Sequence, residues 1–247
     1  MDILHASMSC VANSKNMGQN VVVLSPSAQK ASQKMRLVCI SDTHSRHDKM
    51  PPLPDGDVLV HAGDCTGSGT LAQLENFADW YGRQPHKKKV LIAGNHDYCF
   101  ERDLAQSRQI CESHGITYLV GETAIIDGIR FYGFPWQPIF RSMAFNADES
   151  KRRDLVAAIP DDIEVLVTHS PAFLIFDWVP FTGEHAGCHA LAQRIDQLPK
   201  LKAHICGHIH EGYGFGIREF DSIKFANASI CTERYEPSNK PIIIDID

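Results

Sequence analysis

Asp42 and His44 stand two apart in "SDTH", so in extended chain their side chains face the same way. Asp64 closes "HAGD", Asn95, His96 and Asp97 run together in "AGNHD", His169 lies in "THS", and His208 and His210 are one residue apart in "CGHIH". Carboxylate, amide oxygen and imidazole are donors that hold transition-metal ions. Taken singly, each group is ordinary: a histidine after a strand is usually packed, D-x-H recurs by chance, and Asn-His-Asp suits a turn. Five in succession, each closing an apolar run, point to a metal centre. Asp42, His44, Asp64, Asn95, His169, His208 and His210 are too many ligands for one ion but suit two if a carboxylate is shared. Nitrogen and oxygen donors without thiolate favour Mn, Fe or Zn over Ca or a closed structural zinc. Two such ions about 3.5–4 Å apart clamp an in-line displacement at phosphorus and generate hydroxide near neutral pH.

The runs that must position these groups are "RLVCI" (36–40), "DVLVHA" (57–62), "KVLIA" (89–93), "EVLVT" (164–168) and "AHIC" (203–206). Continuous Val, Ile and Leu predict strands buried on both faces. Ligand groups at the carboxyl ends of such strands occupy the usual site of an α/β sheet. Helical spacing occurs over 70–83, with Thr70 as cap, and over 103–115, 146–159 and 187–198. "TAIIDGIRFYGFP" (123–135) reads as a hairpin about Asp127-Gly128, and "FGIREFDSIKFANAS" and "PIIIDID" read as further strands. The expected fold is α/β: a four-layer α/β/β/α sandwich of two packed mixed sheets with flanking helices.

Residues 35–247 read as a single domain, and residues 1–34 as a flexible N-terminal extension. The apolar run "VVVL" (21–24) is too short for a signal-peptide core. The extension is Ser-rich but has no arginine, against a transit peptide, and Met35 is placed to be an alternative start. The chain is 43% hydrophobic and 22% charged, as in ordinary soluble domains, and no run has the length of a membrane span. A net charge of −6 argues against a general nucleic-acid or anionic-membrane binder. It leaves room for a small anionic substrate, because a local positive centre outweighs a diffuse negative surface. The eight cysteines form no C-x-x-C pair and several lie in apolar runs, so reduced thiols and a cytoplasmic location are expected. No stable nucleic-acid complex is expected, and the oligomeric state is open.

The order "DTH … GD … GNHD … H … GHIH" over residues 36–210 resembles the calcineurin-like metallophosphoesterase superfamily. The resemblance implies one ion on Asp42, His44 and His210, another on Asn95, His169 and His208, and Asp64 bridging both. It implies that His96 stabilises transition-state charge and protonates the leaving oxygen, with Asp97 orienting its imidazole; a turn or capping role is the alternative for Asp97. "GFPWQPIFRSMAFN" (133–146) and "GEHAGCHAL" (183–191) resemble segments of the branch holding the brain-type metallophosphoesterase-domain proteins and class III cyclic nucleotide phosphodiesterases. Some members of that branch alter the last histidine motif, whereas this chain keeps both histidines. Protein phosphatases of the superfamily carry Asp-Arg-Gly soon after the bridging aspartate, where "GDCTGSG" stands here.

The resulting expectation is a phosphodiesterase with two divalent or mixed-valence transition-metal ions (Mn, Fe or Zn), acting on small phosphodiesters, cyclic nucleotides foremost, by in-line attack of a bridging hydroxide. Trp136, Gln137, Asn146 and His185 are candidate substrate residues, with loop packing the alternative for Trp136. A phosphomonoesterase, a nucleotide pyrophosphohydrolase and a metal-stabilised scaffold are the alternative functions.

Overall fold

The computed structural model describes residues 34–247, so the expectations for residues 1–33, including the "VVVL" run, lie outside the described residues. One sheet runs in the order β13 (Ile242–Ile246), β1 (Met35–Ile40), β2 (Val58–His61), β3 (Lys88–Leu91), β4 (Thr117–Tyr118). β1 to β4 are parallel, and β13 pairs antiparallel with β1. The other runs β11 (Gly214–Ile217), β12 (Lys224–Asn227), β10 (Ala203–Cys206), β7 (Val165–Thr168), β6 (Ile129–Phe134), β5 (Glu122–Ile126). Its four central strands are parallel and its two edge strands antiparallel. β5 and β6 are joined through Asp127 and Gly128, both at positive φ (48° and 90°), the turn conformation this dipeptide favours.

Three apolar layers separate the four structural ones. Leu37, Cys39, Val58, Val60 and Val90 face Phe131, Val165, Val167, Ala203 and Ile205 between the sheets. The alternate residues Val38, Ile40, Leu59 and Leu91 face outward onto Leu74, Phe77 and Tyr81 of α1 (Leu71–Gly82) and onto α2 (Tyr98–Arg102) and α3 (Leu104–Ser113). Tyr132, Leu166 and Phe225 face α4 (Glu149–Ala157) and α5 (His189–Ile195). Strands buried on both faces, as their unbroken apolar runs imply, therefore produce the α/β/β/α sandwich. Each fully buried Leu or Phe contributes roughly 1.5–3 kcal/mol.

α1 and α3 start where capping residues stand. The hydroxyl of Thr70 accepts from Gln73 N at 3.2 Å and the carboxylate of Asp103 accepts from Gln106 N at 3.1 Å. Features without a sequence signal include α2, β4, and the small hairpin of β8 (Trp178–Val179) and β9 (Glu184–His185). All seven cysteines among the described residues are unpaired and buried. No helix among those residues is long and apolar enough to cross a membrane.

Candidate metal centre

The motif residues leave the sheets just past the strand ends, from both sheets toward one point. Asp42 and His44 follow β1, Asp64 follows β2, and Asn95 follows β3; His169 follows β7, and His208 and His210 follow β10. Asp42, His44, Asp64 and His208 have positive φ (52°, 44°, 57° and 69°), which turns side chains inward at a cost of order 1–3 kcal/mol each. Backbone bonds hold the first loop against the second: Asp42 N donates to Gly63 O and His44 N to Asp64 O, both at 2.9 Å. Glycine is required where the loops touch. A Cβ on Gly63 would stand 2.5 Å from His169 Nδ1, and one on Gly207 would stand 2.1 Å from Asp42 Oδ2.

Asp42 and Asp64 each divide their oxygens between support and centre. Asp42 Oδ2 accepts from Ser229 Oγ at 2.9 Å and His208 N at 3.0 Å. Its buried Oδ1 has no hydrogen-bond partner and lies 3.4 Å from His210 Nε2. Asp64 Oδ1 accepts from His96 N at 2.7 Å, while Oδ2 lies 3.7 Å from His44 Nε2 and 3.5 Å from His169 Nε2.

Carbonyls behind the rings fix the tautomers. His169 Nδ1 donates to Ala62 O and His210 Nδ1 to Thr232 O, both at 2.9 Å, so in the neutral rings Nε2 carries the lone pair. His169 Nε2 faces Asn95 Oδ1 at 2.9 Å, and His210 Nε2 faces His44 Nε2 at 3.2 Å. Acceptors packed this closely need cations between them. Without metal, protons serve: burial lowers the His169 and His210 pKa values, but the Asp64 and Asp42 carboxylates beside them win and raise both to about 9. Burial likewise opposes the charge on Asp42 and Asp64, yet the neighbouring imidazoles hold both carboxyls below the usual range. Burial dominates at His44 and His208, pushed down to about 4 and about 3. The donor set, its unpartnered carboxylate oxygen and its inward lone pairs fit divalent metal ions.

Ligand atoms of Asp42, His44 and His210, of Asp42, Asp64 and His169, and of His44, Asp64 and His96 lie within 4.8 Å of one another. The ring of His208 lies 4.9 Å from that of His169. His96 belongs to this cluster although the sequence reading kept it off the ligand set. Its Nδ1 donates to Gly67 O at 2.9 Å, leaving Nε2 free.

Asp97 requires a correction: its carboxylate makes no hydrogen bond to the His96 imidazole. It accepts from Gly94 N at 2.8 Å, Cys65 N at 3.2 Å, Thr66 N at 2.9 Å and Thr66 Oγ1 at 2.6 Å. Asp97 thus braces the loop carrying Asp64 against the loop carrying Asn95. The four substrate candidates have partners within the protein. Trp136 packs on Phe134 and Phe145, with ring centroids at 5.3 and 6.5 Å. Gln137 is buried and donates through Nε2 to Asn146 Oδ1 at 3.2 Å. Asn146 spends its amide on the backbone of Phe140 and Arg141. His185, on β9, is held by Asp177 at 2.6 Å and packs its ring near Phe173 and Trp178, with centroids at 5.7 and 5.0 Å.

Sequence reasoning missed the groups behind the ligands. His61 Nε2 meets Thr43 Oγ1 at 3.0 Å behind the first loop, and His204 Nε2 meets Thr168 Oγ1 at 2.8 Å behind His169. It also missed Tyr235, whose ring lies 4.8 Å from His44 and 5.4 Å from His210.

Residues 35–212 match the family model for calcineurin-like phosphoesterases. The chain belongs to the calcineurin-like phosphoesterase family. It is 34% identical to human metallophosphoesterase domain-containing protein 1 over 241 residues, 89% of this chain and 73% of that protein. It is 35% identical to a UPF0046 protein of Caenorhabditis elegans over 230 residues, 86% of this chain and 81% of that one. Among solved structures, TT1561 of Thermus thermophilus shares the fold, with a TM-score of 0.59 at 9% identity over 79% of this chain and 89% of that chain. As a calcineurin-like phosphoesterase the chain is a hydrolase of phosphoric esters, and the family uses divalent metal ions.

Proposed function

We propose that this phosphoesterase is a dinuclear phosphodiesterase of small substrates, cyclic nucleotides being the leading class. The observation that carries this reading is Asp64 Oδ2, 3.7 Å from His44 Nε2 on one side and 3.5 Å from His169 Nε2 on the other, so that one carboxylate would serve both ions. Asp42, His44 and His210 would hold one ion, and Asn95, His169 and His208 the other. Mn, Fe or Zn ions bound there would supply positive charge for the phosphate oxygens and lower the pKa of water in the site.

The chain's own groups account for the remaining chemistry. With Nδ1 committed to Gly67 O, His96 presents Nε2 as the atom that gives a proton to the leaving oxygen. Asp97 acts as a positioning residue through Cys65 and Thr66. The "GDCTGSG" loop has structural work in place of the missing Asp-Arg-Gly: Thr66 binds Asp97 and Gly67 holds His96, and the loop brings no cation to a phosphoprotein substrate. Residues 35–247 form the catalytic domain in this reading, with residues 1–34 an extension, and the unpaired buried cysteines support a cytoplasmic setting.

The test is metal analysis together with turnover of a panel: bis(p-nitrophenyl) phosphate, p-nitrophenyl phosphate, cyclic AMP and GMP, and a phosphopeptide. Two ions per chain, with kcat/KM at least tenfold higher for the aryl diester than for the monoester and phosphopeptide, is the expected result. A preference for the monoester would replace the reading with a phosphomonoesterase.

A further inference from the structure

Two segments far apart in sequence rise beside the centre, each tied to a different part of it. The first is the loop carrying Phe140 and Arg141. Ala144 N donates to Asn95 O at 3.1 Å, which fastens this loop to a ligand residue of the proposed second ion. Asn146 then fixes its tip: Oδ1 accepts from Phe140 N at 3.0 Å, and Nδ2 donates to Phe140 O at 3.3 Å and Arg141 O at 2.9 Å. The Phe140 ring, 45% exposed, stands 6.0 Å from the His208 ring. The Arg141 guanidinium lies 5.0 Å over the Phe140 ring, which keeps its planar donors on the aromatic face.

The second segment is the turn Thr232–Glu236. Thr232 O accepts from His210 Nδ1 at 2.9 Å and from Tyr235 N at 2.8 Å, so one carbonyl sets both a proposed ligand of the first ion and the tyrosine. Tyr235 is 41% exposed, and its ring stands edge-on to His44, His210 and His96 at 4.8, 5.4 and 6.5 Å. Arg141 and Tyr235 have φ of 49° and 60°, the same left-handed backbone as Asp42, His44, Asp64 and His208. Non-glycine residues keep that conformation where the surroundings hold them in it, and such residues cluster at working sites.

We propose that Phe140, Arg141 and Tyr235 form a substrate-selecting rim, which favours phosphodiesters whose ester group is, or carries, a flat aromatic or heterocyclic ring. The inference rests on the phosphodiesterase reading of the centre and names its substrate class. Tyr235 flanks the Asp42/His44/His210 side and Phe140 the His208 side, so an ester group projecting from a phosphorus between them meets aromatic surface. A flat ring gains from stacking there, and an alkyl group of small area does not. Arg141 presents donors for acceptor atoms on the ring or for a phosphate oxygen.

The experiment compares two diesters with the same leaving group, bis(p-nitrophenyl) phosphate and methyl p-nitrophenyl phosphate, on the metal-loaded full chain. The wild type should show the lower KM for the diaryl ester. Phe140→Ala and Tyr235→Ala should each raise that KM about tenfold while moving the KM of the methyl ester less than threefold, so that the preference collapses. Metal content and melting temperature are measured on every sample. Parallel changes with both esters, or no change in their ratio, overturn the rim while leaving the centre intact. Loss of metal from Tyr235→Ala would assign Tyr235 to holding the His210 turn and remove it from the rim, leaving Phe140→Ala to decide. A wild type that turns over neither ester defeats the reading of the centre, and the rim falls with it.

Discussion

His96 reaches the cluster with one nitrogen already committed to Gly67, and its other nitrogen belongs either to an ion or to the substrate. His96→Ala should keep both ions and lose about 10²–10⁴-fold in kcat, the usual worth of a positioned proton donor. Metal content and kcat on one sample check this; loss of an ion along with activity would make His96 a ligand. Asp64→Ala should impair metal binding more than Asp42→Ala, because it leaves two cations facing each other without their shared anion. Metal titration of the two variants decides, and normal binding of two ions by Asp64→Ala would move the bridge elsewhere. Asp97→Ala should cost about 3 kcal/mol or more of stability, because it strands the buried N–H groups of Gly94, Cys65 and Thr66. Urea denaturation measures the loss. The donor set was legible because donor types repeated at successive strand ends. The partner of Asp97 was not: adjacency to His96 in sequence suggested contact, whereas the carboxylate turns back under the Asp64 loop. Arg141 and Tyr235 were illegible because isolated left-handed residues in loops leave no periodic trace.

Among the elements, β2 and β10 each carry a buried histidine that holds a threonine beside a ligand. Burial pushes His204 and His61 down to about 3, so both are neutral in the folded chain at neutral pH. Once the pH falls below the ordinary imidazole value near 6.5, the unfolded chain binds protons that the folded chain refuses. Stability is therefore complete above about pH 6.5 and falls toward pH 3, by roughly 1.4 kcal/mol per pH unit for each histidine. His204→Gln, which can still donate to Thr168, should remove one proton's share of that slope in the metal-free protein. Urea midpoints of wild type and variant at pH 7 and pH 5 test it; identical slopes would show that His204 takes up its proton while folded. The strands bearing the ligands were readable to within a residue or two, because unbroken Val, Ile and Leu runs mark burial on both faces. β4, β8 and β9 have two residues each, too few to show a period.

On the scale of the whole molecule, the centre draws Asp42, His44, Asp64 and Asn95 from one sheet and His169, His208 and His210 from the other. Ions bound there would join the sheets at one end of their interface, and only the folded chain offers that arrangement. Saturation to a hundred times the dissociation constant should stabilise by about 2.7 kcal/mol per ion. With a shift of roughly 2–4 °C per kcal/mol for a domain of this size, chelation should lower the melting point by about 5 °C or more. Scanning calorimetry with and without chelator measures it, and an unchanged melting point would show that the ions bind without bracing the sheets. The layered architecture was legible from strand burial, but strand order was not, since it depends on pairings between distant segments. Arg36 and Asp245 make an ion pair across β1 and β13 from positions 209 residues apart. On a ribosome, a nascent chain already holding every ligand of the centre still lacks the strand that seals β1. Until β13 emerges, the edge of β1 is open to a strand of another chain, a route to aggregation. Deleting residues 242–247 would remove no group from the centre, yet it should yield insoluble protein when expressed, a fault of biogenesis rather than of chemistry.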